Sequence, residues 1–217
     1  SVLLTLAMLI SVSPMIVSAD AEQQEYKVVW IGGSFTEGTA GVDGDRSKCF
    51  ATLVTNWMNE TGYAGKNVTV TGINSGVGGT LSPYGRMRYE KDVLSYNPDL
   101  VFIEFNGNDA GMGNYLQAAY AMESMIRRTM IANPKTKVVF LERPEWASPE
   151  LAAQAQKYHK LVADYYDVPF MDITKIAEDV PDGVSSDGCH PNEKGHAAIA
   201  KGIENWLTEN AINYPAM

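Results

Sequence analysis

Ser34 stands where the nucleophile of an α/β protein would stand. It follows an apolar run, Val28-Val29-Trp30-Ile31, that stops abruptly on Gly32-Gly33. Glycines let the backbone turn sharply where a Cβ would clash, and a serine on such a turn is presented beyond the strand end. The plainer reading is a strand that ends in a Gly-Ser loop. A serine needs a base to attack at neutral pH, and histidine is the usual one. The chain has 3 histidines. His159 lies mid-helix in Gln156-Lys157-Tyr158-His159-Lys160 and reads as part of a solvated face. His196 falls within the last predicted helix and reads as a surface or packing residue. His190 sits in a loop shortly after Asp187. A carboxylate at that spacing can accept the imidazole Nδ1–H and leave Nε2 facing the serine. Taken by itself, the pair also fits an Asx-turn beside a surface histidine.

Acyl transfer needs donors aimed at the developing oxyanion. Three are available at turns that follow predicted strands: the Ser34 N–H, the Gly79 N–H in Asn74-Ser75-Gly76-Val77-Gly78-Gly79-Thr80, and the Asn108 side chain in Asn106-Gly107-Asn108-Asp109. Each has an ordinary conformational explanation too, since Gly and Asn are common in turns.

The elements that must position these groups follow from hydrophobic periodicity. Strands are predicted at residues 26–31, 67–73, 100–105, 137–141 and 168–173. Helices are predicted at 47–58 with Ser47 as cap, 84–95, 115–132, 149–166 with Ser148 as cap and Pro149 first, and 193–207. Strands alternating with helices define an α/β domain with a parallel sheet, whose ligands bind beyond the carboxyl ends of the strands.

Composition bounds the rest. The 217 residues are 45% hydrophobic and 20% charged, enough for one domain, assigned to 20–217. A net charge of −9 argues against nucleic-acid and anionic-membrane partners. Cys49 and Cys189 are too few for a disulfide scaffold and lack metal-site spacing; they are either one disulfide or two thiols. Residues 2–17 are almost wholly apolar and lead into Val17-Ser18-Ala19, so 1–19 reads as a signal peptide lacking its initiating Met and positive n-region. The alternative is a retained anchor, against which the run is short and carries Pro14. Either reading exports the domain; the first makes it secreted, with no stable membrane association after signal removal.

Taken together and in this order, four stretches resemble the SGNH (GDSL-type) hydrolase superfamily. They are Gly32-Gly33-Ser34, residues 74–80, Asn106-Gly107-Asn108-Asp109, and Asp187-Gly188-Cys189-His190-Pro191 with its continuation Asn192-Glu193-Lys194-Gly195-His196. The resemblance covers residues 26–207. It implies a three-layer α/β/α fold on a flavodoxin-like five-stranded parallel sheet. It implies Ser34 as nucleophile, His190 as general base and Asp187 as its orienting partner. Gly79 and Asn108 would complete an oxyanion hole with the Ser34 N–H; Gly76 or Gly78 are alternatives to Gly79. No metal or cofactor is implied. Two departures stand out: Gly33 replaces the family's usual aspartate, and Asn106 its usual glycine.

An exported, acidic member resembles the carbohydrate esterases, which remove acetyl groups from polysaccharides. Tyr84, Tyr115 and Trp146 are candidate carbohydrate-facing aromatics, or ordinary packing residues. The alternatives within the superfamily are lipases, lysophospholipases and thioesterases, and an acyltransferase would use the same residues. A non-catalytic carbohydrate-binding module is a different class, against which Ser34, Asp187 and His190 are all present.

Overall fold

The computed structural model describes residues 24–144, 148–176, 183–185 and 187–210. The signal-like segment 1–19 and Trp146 lie outside them.

Five parallel strands form one sheet: β1 (Gln24–Gly32), β2 (Val68–Gly76), β3 (Leu100–Glu104), β4 (Lys137–Glu142) and β5 (Phe170–Asp172), in the order β2-β1-β3-β4-β5. The apolar run of β1 is continuous because both faces of that strand are covered. Val28 and Trp30 point into one core and Val29 and Ile31 into the other. The first core lies under α2 (Phe50–Thr61) and α7 (Glu193–Glu209), with Trp30 stacked on Phe102 at 4.0 Å between ring centroids. The second lies under α3 (Ser82–Asp92), α5 (Tyr115–Ala132) and α6 (Pro149–Tyr166). Helical spacing supplies the buried faces. Ala118, Ala121, Met122, Met125, Ile126 and Thr129 make a stripe along α5 that the sheet covers. The result is the expected three-layer α/β/α sandwich.

Strand order reverses between β1 and β3. The chain leaves β1 toward the β2 edge, then crosses back to β3 on the other side. The loops after β1 and β3 therefore diverge and leave a crevice at the carboxyl edge.

Two local expectations change. Ser47 does not cap α2. The Asp45 carboxylate accepts hydrogen bonds from both the Ser47 N–H and its hydroxyl, which closes a separate 3₁₀ turn at Arg46–Lys48. α2 starts only after Cys49, with no side-chain cap. Ser148 precedes α6, also without a side-chain cap bond, and Pro149 opens the helix. The cysteine alternative also closes: Cys49 carries a free thiol, so no disulfide joins it to Cys189. Burial pushes that thiol up to about 11.

Gly76 ends β2 against the chain that follows Ser34. A Cβ there would penetrate the backbone of Thr36 and Glu37. Gly76→Ala should lower unfolding stability by about 1–3 kcal/mol, the usual cost of overpacking, as read from the denaturant midpoint.

Candidate active site

β1 ends at Gly32, and the next residues wind into a single helical turn, α1 (Ser34–Glu37). Ser34 is its first residue, so its N–H has no acceptor within the turn. β3 ends at Glu104 and runs into a second short turn, α4 (Asn106–Asp109). Both turns face the crevice where strand order reverses.

The histidine arrives from the other end of the chain. Asp187 folds its loop around its own carboxylate: Oδ1 accepts from the backbone N–H of Cys189 at 2.9 Å and of His190 at 2.7 Å. Oδ2 lies 2.8 Å from His190 Nδ1, and His190 Nε2 lies 3.0 Å from Ser34 Oγ. The side-chain bond to His190 and the two backbone donors hold the Asp187 carboxyl well below the usual carboxylate range. It stays ionised and fixes the ring with Nδ1–H toward itself and Nε2 toward the serine. An antiparallel bridge between Ser185 and Pro191, and Asn192 capping α7 through the Gly195 N–H, secure the loop.

Beside Ser34 opens a cleft of about 430 Å³, whose lining includes Phe35, Gly79, Asn108, Arg143, Leu151 and His190. Of the three candidate glycines, only Gly79 lines it, at φ +70° with open space on its Cα. The Gly76 N–H is already bound to Asn74 Oδ1 at 2.9 Å. Arg88 from α3 holds this glycine turn against β1, donating to the carbonyls of Ser75 at 2.6 Å and Gly32 at 3.1 Å.

The departures from the family pattern have structural consequences. A Cβ on Gly33 would lie 2.6 Å from Asn108 Oδ1, so the Asn108 carboxamide occupies the space a side chain at position 33 would need. Asn106 is buried and clips β3 to β4: its Nδ2 donates to the Arg143 carbonyl at 2.9 Å, and its Oδ1 faces the Arg143 N–H at 3.4 Å.

The aromatics fall elsewhere. Tyr84 is half exposed on α3, with the Arg88 guanidinium over its ring. Tyr115 donates its hydroxyl to the Ala110 carbonyl at 3.2 Å and stacks on Tyr158. Neither is in the lining of the cleft.

The largest correction concerns the histidines outside the cleft. His196 is buried, as a packing residue; its Nδ1 accepts from the Phe50 N–H at 3.4 Å, and burial, then the neighbouring His190, lower it to about 4. His159, expected on a solvated face, is fully buried. Its Nδ1 lies 2.8 Å from Glu142 Oε1 and its Nε2 3.1 Å from Asp109 Oδ2, all three side chains being inaccessible to water. Burial works against its charge, yet the Glu142 carboxylate and then Asp109 outweigh it and raise His159 to about 10. The signal was present: Ala152, Ala155, His159 and Ala163 recur at helical spacing and form the inward stripe of α6. Next to this cluster, Arg143 pairs with Glu104 at 3.2 Å and its guanidinium sits over the Phe35 ring, while the other Glu104 oxygen accepts from Thr36. The residue after Ser34 is thus packed on a buried ion pair.

A parallel sheet of this order, with a serine, a histidine and two glycine- or asparagine-bearing turns gathered at its carboxyl edge, defines the SGNH class of α/β/α hydrolases. The chain belongs to the GDSL-like lipase/acylhydrolase family, whose model matches residues 30–198. Among solved structures it is similar to a two-domain esterase active on acetylated mannans and crystallised with mannopentaose. The two share 27% identity and a TM-score of 0.74, over 89% of this chain and 53% of that one. The chain thus spans about half the length of that protein. It shares its fold with the lipase/acylhydrolase of Enterococcus faecalis (22% identity, TM-score 0.69, 88% of this chain and 100% of that one). The same holds for an acetylxylan esterase of Geobacillus stearothermophilus (18%, 0.66, 88% and 97%). No curated protein matches the chain.

The buried cluster makes stability depend on pH. His159 is raised from 6.5 to about 10, so its contribution is complete below 6.5 and is lost as pH rises through 10. The groups facing it are Glu142 from β4 and Asp109 from α4, with Glu104 of β3 adding to the negative field on Glu142. The melting temperature should fall as pH is raised from neutral toward 10, and His159→Gln should flatten that fall.

Proposed function

We propose that the protein is a carboxylesterase acting through an acyl-enzyme on Ser34, with acetylated carbohydrate as its substrate class. The observation that carries the mechanism is the unbroken line Ser34 Oγ–His190 Nε2–His190 Nδ1–Asp187 Oδ2, at 3.0 and 2.8 Å, at the mouth of the cleft.

Ser34 Oγ attacks the ester carbonyl as His190 Nε2 takes its proton, and the ionised Asp187 stabilises the imidazolium. The carbonyl oxygen becomes an oxyanion beside the Ser34 N–H, the Gly79 N–H and the Asn108 Nδ2. Collapse breaks the bond to the alkoxy group, which leaves with the proton from Nε2. A water then loses a proton to Nε2 and attacks the acyl carbon, and that proton passes to Ser34 Oγ as the carboxylic acid departs and ionises in solution.

Support for the substrate class comes from the mannan-active esterase at 27% identity. Along one wall of the cleft, Phe35 and Arg143, which is ion-paired with Glu104, lie buried beside Ser34. We also propose that the domain works outside the cytoplasm, on the pattern of residues 1–19 alone.

p-Nitrophenyl acetate, butyrate and decanoate give the first test. Acetate should be cleaved fastest, with a steep fall toward decanoate; a preference for decanoate would move the reading to lipid esters. Ser34→Ala should abolish turnover, and Asn108→Ala should lower kcat about 10²–10³-fold, the usual cost of one oxyanion donor. Acetate release from acetylated mannan and xylan, followed by chromatography, checks the carbohydrate assignment.

Gly33→Asp, which restores the residue common in the family, should lower kcat rather than raise it, because its Cβ displaces Asn108. A kcat equal to or above that of the unmodified protein would show that the carboxamide relocates without loss.

A further inference from the structure

We propose that His159 is a positioning residue for the oxyanion donors: clamped between Glu142 and Asp109, it fixes the Asp109 carboxylate, which ties the Asn108 turn to the Gly79 loop. The inference rests on the esterase reading only for its consequence in catalysis; the tie itself is independent of it.

Asp109 is the hub. It immediately follows Asn108 in α4, and its backbone N–H is anchored to the Phe105 carbonyl at 2.8 Å. Its two carboxylate oxygens then point to different elements. Oδ1 accepts from the Ser82 N–H at 2.9 Å, at the first residue of α3, where the loop from Gly79 ends. Oδ2 meets His159 Nε2 at 3.1 Å. The two turns that would furnish the side-chain and glycine donors are therefore joined through one buried side chain.

A lone buried carboxylate with one backbone donor would be under-satisfied and free to swing. His159 prevents that by occupying the second oxygen. Its ring cannot rotate without breaking a bond at either end, because Nδ1 is held by Glu142 at the carboxyl end of β4. The rigid sheet thus sets the orientation of Asp109 through α6. None of the three side chains has any exposure to solvent, so none can touch a substrate. Their effect on the reaction must pass through the position of the donors. A sub-ångström shift of such donors is enough to weaken a preorganised oxyanion site.

The test is a double-mutant cycle on p-nitrophenyl acetate. In the otherwise unmodified protein, His159→Gln should lower kcat about ten- to hundredfold, with KM changed less than about twofold. In the Asn108→Ala background the same substitution should cost less than about threefold, because the donor it positions is already gone. Equal costs in both backgrounds, or an unchanged kcat in the single variant, would overturn the proposal. If His159→Gln fails to fold, Asp109→Asn carries the same cycle: it keeps an acceptor for the Ser82 N–H and loses the charge that holds His159.

Hydrogen exchange at the Ser82 amide reads the tie without turnover. The amide should be protected in the unmodified protein and lose protection in His159→Gln; unchanged protection would count against the tie. If the unmodified protein cleaves no ester, the esterase reading fails, and the Ser82 amide still decides the present one.

Discussion

Charge buried at the carboxyl ends of β3 and β4 is the constraint on which the site depends. Glu104, Asp109, Glu142, Arg143 and His159 are each at most 1% exposed. An isolated ion in such a place is strongly disfavoured, and removing one partner of a buried pair leaves the other uncompensated. These five side chains therefore have little freedom apart from one another. Their bonds reach outward to Thr36 near Ser34 and to Ser82 at the head of α3, and the Arg143 carbonyl holds Asn106 on the turn after β3. Packing of apolar residues sets the sheet and its two cores; this polar cluster sets the loops that leave the sheet.

The division of labour follows from topology. The serine and the asparagine leave neighbouring strands, so their separation is fixed by the spacing of β1 and β3 and by the turn each makes. The histidine has no strand beneath it. Its position comes from a self-contained loop that Asp187 folds around its own carboxylate and that α7 anchors behind it. One arm of the site is thus built by the sheet and the other by a local turn, and the Ser34 hydroxyl, donating to His190 Nε2, bridges the two.

Much of this was legible in the sequence, for identifiable reasons. α5 and α6 begin and end where periodicity, Pro149 and Asn133-Pro134 place them, because both carry a clear buried stripe and strong punctuation. The stretches around Ser34, Asn108 and His190 each also fit an ordinary turn, and they stood out only jointly, through the order in which they resemble the family's blocks. His159 did not, because its stripe is built from alanines, which give a weak hydrophobic signal, and because Gln156, Lys157 and Lys160 around it are polar. Its partners lie 17 and 50 residues away, a relation that no local pattern contains. Ser47 misled for the opposite reason: it is a good cap residue beside a better one, Asp45. Asp109 and Asn106 were in view inside the recognised stretch, but what they hold is visible only in three dimensions.

The clamped imidazole also gives folding a chemical stoichiometry. At a pH between 6.5 and 10 an exposed histidine is mostly neutral, whereas His159 inside the cluster retains its proton. The chain therefore draws a proton from solution as it folds and returns it on unfolding. Near pH 8 the calorimetric heat of unfolding then contains the heat of protonating the buffer. Two buffers of different ionisation enthalpy will report different enthalpies for the same transition.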